Sequence, residues 1–97
     1  MRTVFMTQQI REKLDIRALL MIVSILKSKE SENSEDLDYL QVFEFEDKKL
    51  INRQEEPQLV NVYPLEYNNL KDCKIWAVMG LDEVIGEYWT IMYPDEY

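Results

Sequence analysis

The chain has 97 residues, 46% of them apolar and 31% charged, with a formal net charge of −8 and no histidine. That length suits a single domain over residues 1–97 with one core, and so large an apolar fraction excludes a chain disordered throughout. The missing histidines remove the commonest general base, the Ser–His and Cys–His nucleophile pairs and most zinc sites. Cys73 is the sole cysteine, so no internal disulfide can form and a reducing compartment is the simpler setting.

The first predicted element is a short β-prone run, Thr3 to Thr7, read as an edge strand. A helix follows from about Asp15 to Lys29. Asp15 is its N-cap, because a carboxylate there accepts orphan amides and meets the positive helix end. Leu14 and Leu19 are spaced as a hydrophobic staple. Apolar residues Ala18, Leu19, Ile22, Val23, Ile25 and Leu26 cover more than one face, which predicts a helix held by the sheet and by something else in a two-layer fold. The same run, Ala18 to Leu26, follows Arg11, Lys13 and Arg17 and so imitates the start of a signal peptide. Lys-Ser-Lys-Glu-Ser-Glu comes next instead of a small-residue cleavage pattern, and the run falls short of the ~18 apolar residues of a membrane span. The reading is a buried helix in a cytoplasmic protein that does not engage membranes.

Ser28 to Asp36 is polar, acidic and aperiodic, which predicts an exposed loop. From Asp38 to Glu46 the chain alternates, with Tyr39, Phe43 and Phe45 at odd positions around a polar Gln41, a strong strand pattern. Asp47-Lys48-Lys49 is read as a turn, Leu50 to Glu55 as the returning strand, and Pro57 as its end. Leu59 to Leu65 alternates again, with Pro64 placing its end at a sheet edge. Lys74 to Met79 and Tyr88 to Tyr93 are apolar on both faces, the pattern of central strands. Leu81 to Gly86 joins them as a hairpin loop with an acidic Asp82-Glu83 tip. The predicted fold class is α+β: one mostly antiparallel sheet of five to six strands with one helix across it, in the order β-α-β-β-β-β-β.

Asp38 to Glu44 (DYLQVFE), Ile51 to Pro57 (INRQEEP), Lys74-Ile-Trp76 and the closing Pro94-Asp-Glu-Tyr97 together resemble the domain of unknown function 960 family. Its members are small proteins of Gram-positive bacteria and their phages. Phe5-Met-Thr7 and the helix also fit, so the resemblance spans nearly the whole chain. It implies a compact α+β domain without assigned chemistry. Family members more often carry His where Asn52 stands and Trp where this chain has Met21 or Ile22.

Within the chain, few groups offer chemistry. Glu55-Glu56 beside Arg53 has the composition of an acid–base pair, but exposed acids in so acidic a chain are mostly solvated surface. Glu30, Glu32, Glu35, Asp36 and Asp38 lack the glycine and spacing of a calcium loop. No glycine-rich loop precedes a helix, so the usual phosphate cradle is missing. Arg53 and Gln54 read as structural, Cys73 as a small strand residue, and Tyr39, Phe43, Phe45, Trp76 and Trp89 as core. The expectation is a protein that is not an enzyme and carries no metal or cofactor.

Charge gives the functional expectation. Residues 1–29 hold six basic and two acidic groups, a net +4, whereas residues 30–97 hold five basic and seventeen acidic groups, a net −12. Such a body repels nucleic acid and anionic membranes and favours basic protein surfaces. We therefore expect a phage-type counter-defence protein that blocks a basic nucleic-acid-handling protein such as a CRISPR effector nuclease. Its candidate partner-binding residues are Glu30, Glu32, Glu35, Asp36, Asp38, Glu44, Glu46, Asp82 and Glu83. The alternative is a housekeeping interaction domain whose acidity serves solubility. The mimicry is sparse on one strand: same-face acids such as Glu44 and Glu46 lie about 7 Å apart, whereas DNA carries a charge per ~1.7 Å of axis. Several acidic segments must converge on one face.

Overall fold

A computed structural model describes residues 2–32, 34–66 and 70–97. The elements run β1 (Thr3–Met6), α1 (Gln8–Lys13), α2 (Ile16–Glu32), a 3-10 turn (Ser34–Asp36), β2 (Leu40–Glu46), β3 (Lys49–Gln54), β4 (Leu59–Pro64), β5 (Cys73–Asp82), β6 (Gly86–Met92) and a 3-10 turn (Pro94–Glu96). The strands form one sheet in the order β1-β6-β5-β2-β3-β4. The fold is α+β, but the sheet is mixed rather than mostly antiparallel, since β1 lies parallel to β6 while the other neighbours are antiparallel. The two helices carry the chain from β1 across the sheet to β2, and β6, last in sequence, fills the place between β1 and β5.

Helix α2 begins where its cap dictates. The Asp15 carboxylate accepts the Arg17 amide at 2.9 Å and is also bonded by the Arg17 guanidinium, which together hold its pKa down at about 2. The additional helix α1 is capped by Thr7, whose hydroxyl accepts the Ile10 amide and donates to Glu96. With Ile10 as its one buried residue, α1 lacks the apolar periodicity that announces a helix in sequence.

Leu19, Ile22 and Leu26 face the sheet and are buried with Phe43, Phe45, Leu50, Ile75, Ala77, Trp89 and Ile91. Among the described residues nothing covers the outer side of α2, where Ile16 and Leu20 are 62% and 61% exposed. The expected loop from Ser28 is corrected as well. Helix α2 continues to Glu32, and Lys29 is buried; Asn33, in the same expected loop, lies outside the described residues. The helix persists because its last turn still has a face on the sheet, occupied by a lysine stem rather than an apolar side chain.

Turn chemistry sets the strand register. Asp47 and Lys48 both take the left-handed conformation, φ 49° and 61°, in the two-residue loop of the β2–β3 hairpin, and Glu46 pairs with Lys49 across it. That is the loop geometry whose twist matches paired strands. In the β5–β6 hairpin Asp82 Oδ1 accepts the Val84 and Ile85 amides, and Gly86 supplies the positive φ of 79° that the loop requires. As the sequence predicts, β5 and β6 are central, and β1 and β4 are the edges.

Candidate protein-binding surface

Strand side chains alternate between the two faces, and among the described residues the helices cover one face of this sheet. Phe43 of β2, Ile75 and Ala77 of β5, and Trp89 and Ile91 of β6 point to the helices and are fully buried. The intervening residues form the other face. Val42 and Trp76 are cross-strand partners there, as are Leu40 and Val78, and no described element lies over them. Trp76 is half-buried, and Phe5, Val60 and Val62 are 46%, 48% and 58% exposed.

Side chains on this face are ordered by one another. The Tyr88 ring lies across Gly80, its partner on β5, so closely that a Cβ at residue 80 would meet the ring at 2.5 Å. Phe5 packs edge-on against Tyr88 with centroids 5.4 Å apart, and Tyr97 packs edge-on against Trp76 at 5.5 Å. Between β3 and β5, Leu40, Val42, Val60 and Trp76 line a shallow groove of about 630 Å³ together with the charged Glu44, Arg53 and Lys74. Glu44 accepts a hydrogen bond from Arg53 and forms an ion pair with Lys74 at 3.6 Å. The Arg53 hydrogen bond is the main reason that the Glu44 pKa is lowered. Arg53 thus has the structural salt bridge expected of it, on the open face.

The nine acidic residues singled out in the sequence fall into different environments. Glu30 is not a loop residue. It lies in the last turn of α2, accepts the Trp89 indole N–H at 2.6 Å and the Arg2 amide at 3.2 Å, and pairs with the Arg2 guanidinium. Asp38 caps the β3–β4 turn by accepting the Glu55 and Glu56 amides, and Asp82 caps its own hairpin. Glu32, Glu35, Asp36 and Glu83 are exposed. Glu44 is on the open face and Glu46 is exposed at the far end of β2.

These nine do not meet at one point. Phe45 pairs with Cys73 at one end of β5, and Asp82 ends the strand nine residues later; at about 3.3 Å per residue Glu46 and Asp82 are about 30 Å apart. The register does gather acids at the Asp82 end. Asp38, Asp82 and Glu83 are joined there by Glu87, the partner of Leu81, and by Glu55 and Glu56, which follow the Gln54–Leu59 pair. Arg2, its side chain 22% exposed, also bonds Glu87 at 2.9 Å, and the exposed Lys27 lines the same hollow as Glu30 and Glu87.

The residue that sequence reasoning missed is Lys29. Only 5% exposed, it donates from Nζ to Gln41 Oε1 at 2.7 Å, Asn52 Oδ1 at 2.9 Å and Gln54 Oε1 at 3.0 Å. Gln54 in turn donates to the Asp36 and Pro57 carbonyls, and Asn52 to that of Val42. Burial pushes the Lys29 pKa below the usual lysine range, and the charge of Asp38 opposes that shift. All three ammonium hydrogens have acceptors, so the group is a tether between helix and sheet rather than a nucleophile. The signal was present: Gln41, Asn52 and Gln54 occupy inward positions of two paired strands, where a polar side chain requires a buried partner.

The Cys73 thiol is half-buried, which raises its pKa, and no group of three or more Cys, Asp or Glu side chains among the described residues has metal-holding geometry. No described helix is long and apolar enough to cross a membrane. No family model, curated protein or solved structure matches this chain.

Proposed function

We propose that this chain is a non-enzymatic protein-binding domain of the phage counter-defence type, which docks its open sheet face on a basic nucleic-acid-handling protein such as an effector nuclease. The observation that carries this reading is the sheet covered by helices on one side only. An ordered apolar surface around Trp76, Val42 and Val60 is left facing solvent, flanked by the acids at the Asp82 end. Contiguous apolar surface rimmed by polar groups is the usual mark of a protein interface. The groove gives affinity, while the acids steer a basic partner and repel nucleic acid.

The two contributions separate experimentally. A charge reversal of Glu55, Glu56 and Glu83, all exposed, to lysine leaves the fold intact and slows association with the partner captured from a Gram-positive host, with a weaker dependence on salt. Trp76→Ala shortens the lifetime of the complex instead. Equal recovery of one partner by wild type and both variants would remove this surface from the function. Capture of a partner without a basic surface would turn the assignment towards a housekeeping interaction domain.

A further inference from the structure

The edge strand β4 reads Leu59-Val60-Asn61-Val62-Tyr63-Pro64, six residues without a charge in a protein that is 31% charged. Natural edge strands are usually guarded against pairing by lysines, prolines, bulges or inward charges; β4 has only Pro64, at its last position, and none of these from Leu59 to Tyr63. Its pattern is also symmetric about Asn61. Val60 and Val62 flank it on the open face, 48% and 58% exposed, while Leu59 and Tyr63 lie beyond them on the helix face.

We infer that β4 pairs with β4 of a second copy, antiparallel across a two-fold axis through Asn61. This register sets Val60 against Val62 of the other copy, Leu59 against its Tyr63, and Asn61 against Asn61. Like then meets like on both faces, as an isologous interface requires. Beside this edge, on the helix face, Leu20, Met21, Ile25 and Tyr63 line a second groove of about 450 Å³. Leu59 of the second copy enters it, which accounts for Leu20 at 61% exposure on a helix with no further layer.

Charge does not stand against a second copy in this orientation. The seam itself is neutral, so the −8 of each chain does not act across it at contact distance. Antiparallel pairing sends the two Glu55-Glu56 turns to opposite ends of the seam, level with the β2–β3 turn of the other copy, where Lys48 and Lys49 balance Glu46 and Asp47. The product is one continuous twelve-stranded sheet with a doubled open face, whichever partner that face takes.

Sedimentation across a concentration series tests the dimer, and substitutions at the axis test its register. Asn61 is exposed, so Asn61→Lys spares the monomer fold while placing two lysines opposite each other, and it raises the dimer dissociation constant about tenfold or more. In a Cys73→Ser background, Asn61→Cys oxidises to a cross-linked dimer, because directly opposed strand residues have Cα atoms about 4.5–5.5 Å apart, within disulfide reach. Val60→Cys in the same background stays monomeric on oxidation, since its opposite number is Val62. A wild-type chain that remains monomeric at the highest concentration overturns the inference, as does a dimer that cross-links through Val60→Cys rather than Asn61→Cys.

Discussion

The two faces of this sheet are made of the same strands and similar residues, yet they do different work. On the helix side Phe43, Ile75, Trp89 and Ile91 are fully buried. On the other side Val42, Val78 and Trp76 lie between the same backbone positions and remain partly in water. The covered face also encloses an ammonium held by three amide oxygens, whereas the open face keeps its ion pairs at the surface, with Arg53 and Lys74 about half exposed. Burial of apolar area is what stabilises the fold, so most of the stability resides on the helix side, with Ile51 the buried apolar residue of the other face.

The largest test of this division is Lys29→Met. The substitution keeps the apolar stem but leaves the buried Asn52 Oδ1 without a donor, and it takes one of two donors from Gln41 Oε1 and Gln54 Oε1, which still accept from Asn52 and Gln41. Stranding such a network costs ~3–5 kcal/mol, measured by urea unfolding. Removing Gln41, Asn52 and Gln54 together in the same chain, as leucines, recovers part of the loss, because the three amide oxygens leave with their donor. A cost below ~1 kcal/mol for Lys29→Met would show that water satisfies Asn52 Oδ1 and that the tether is dispensable.

Next in size is the contrast between equivalent truncations on the two sides. Ile22→Ala removes a fully buried side chain where α2 meets the sheet and costs ~2–5 kcal/mol. Val78→Ala removes a half-buried one from the open face and costs under ~1 kcal/mol. Thermal and urea unfolding of both variants at low protein concentration measure this directly. Equal losses would mean that a second layer covers the open face in solution, and the comparison between the faces would fail.

Local chemistry was legible in the sequence and long-range pairing was not. Asp15, the spacing of Leu19, Ile22 and Leu26, and the Phe43–Phe45 alternation each act within a few residues, and they placed α2 and β2 correctly. The Asp47–Lys48 turn and the Pro64 edge were legible for the same reason. The β1–β6 pairing joins segments more than eighty residues apart, and nothing in Thr3–Met6 specifies a parallel neighbour. The open face escaped notice because Lys74–Met79 and Tyr88–Tyr93 are apolar on both sides, which a fully covered sheet would also require. Lys29 was hidden because a charged residue in a run of Ser, Lys and Glu reads as solvated until its three amide partners are brought from other strands. For the candidate surface, the acidic character of the second half was plain, but the role of each acid was not. Glu30 and Asp38 proved to be structural because of contacts with Trp89, Glu55 and Glu56 that only the fold creates.

The smallest expected effect is on acid stability, and it separates the two faces once more. Asp15 anchors the helix layer, and the bonds from Arg17 lower its pKa from 3.8 to about 2 in the folded chain. Glu44 lies on the open face, with its pKa lowered chiefly by Arg53. A carboxyl with a depressed folded-state pKa contributes stability that is present above its unfolded value and lost as pH falls through the folded value. For Asp15 that window runs from about pH 4 to about pH 2. Asp15→Asn should therefore flatten the fall of the unfolding midpoint across this window, whereas Glu44→Gln, whose partners are partly solvent-screened, should flatten it less. Added salt should shrink both effects, and the difference between them measures how much of the acid sensitivity belongs to the covering helices. Parallel pH profiles for wild type and Asp15→Asn would show that the α2 cap is no tighter in the folded chain than in water, and the helix layer would have to owe its position to Lys29 and the apolar contacts alone.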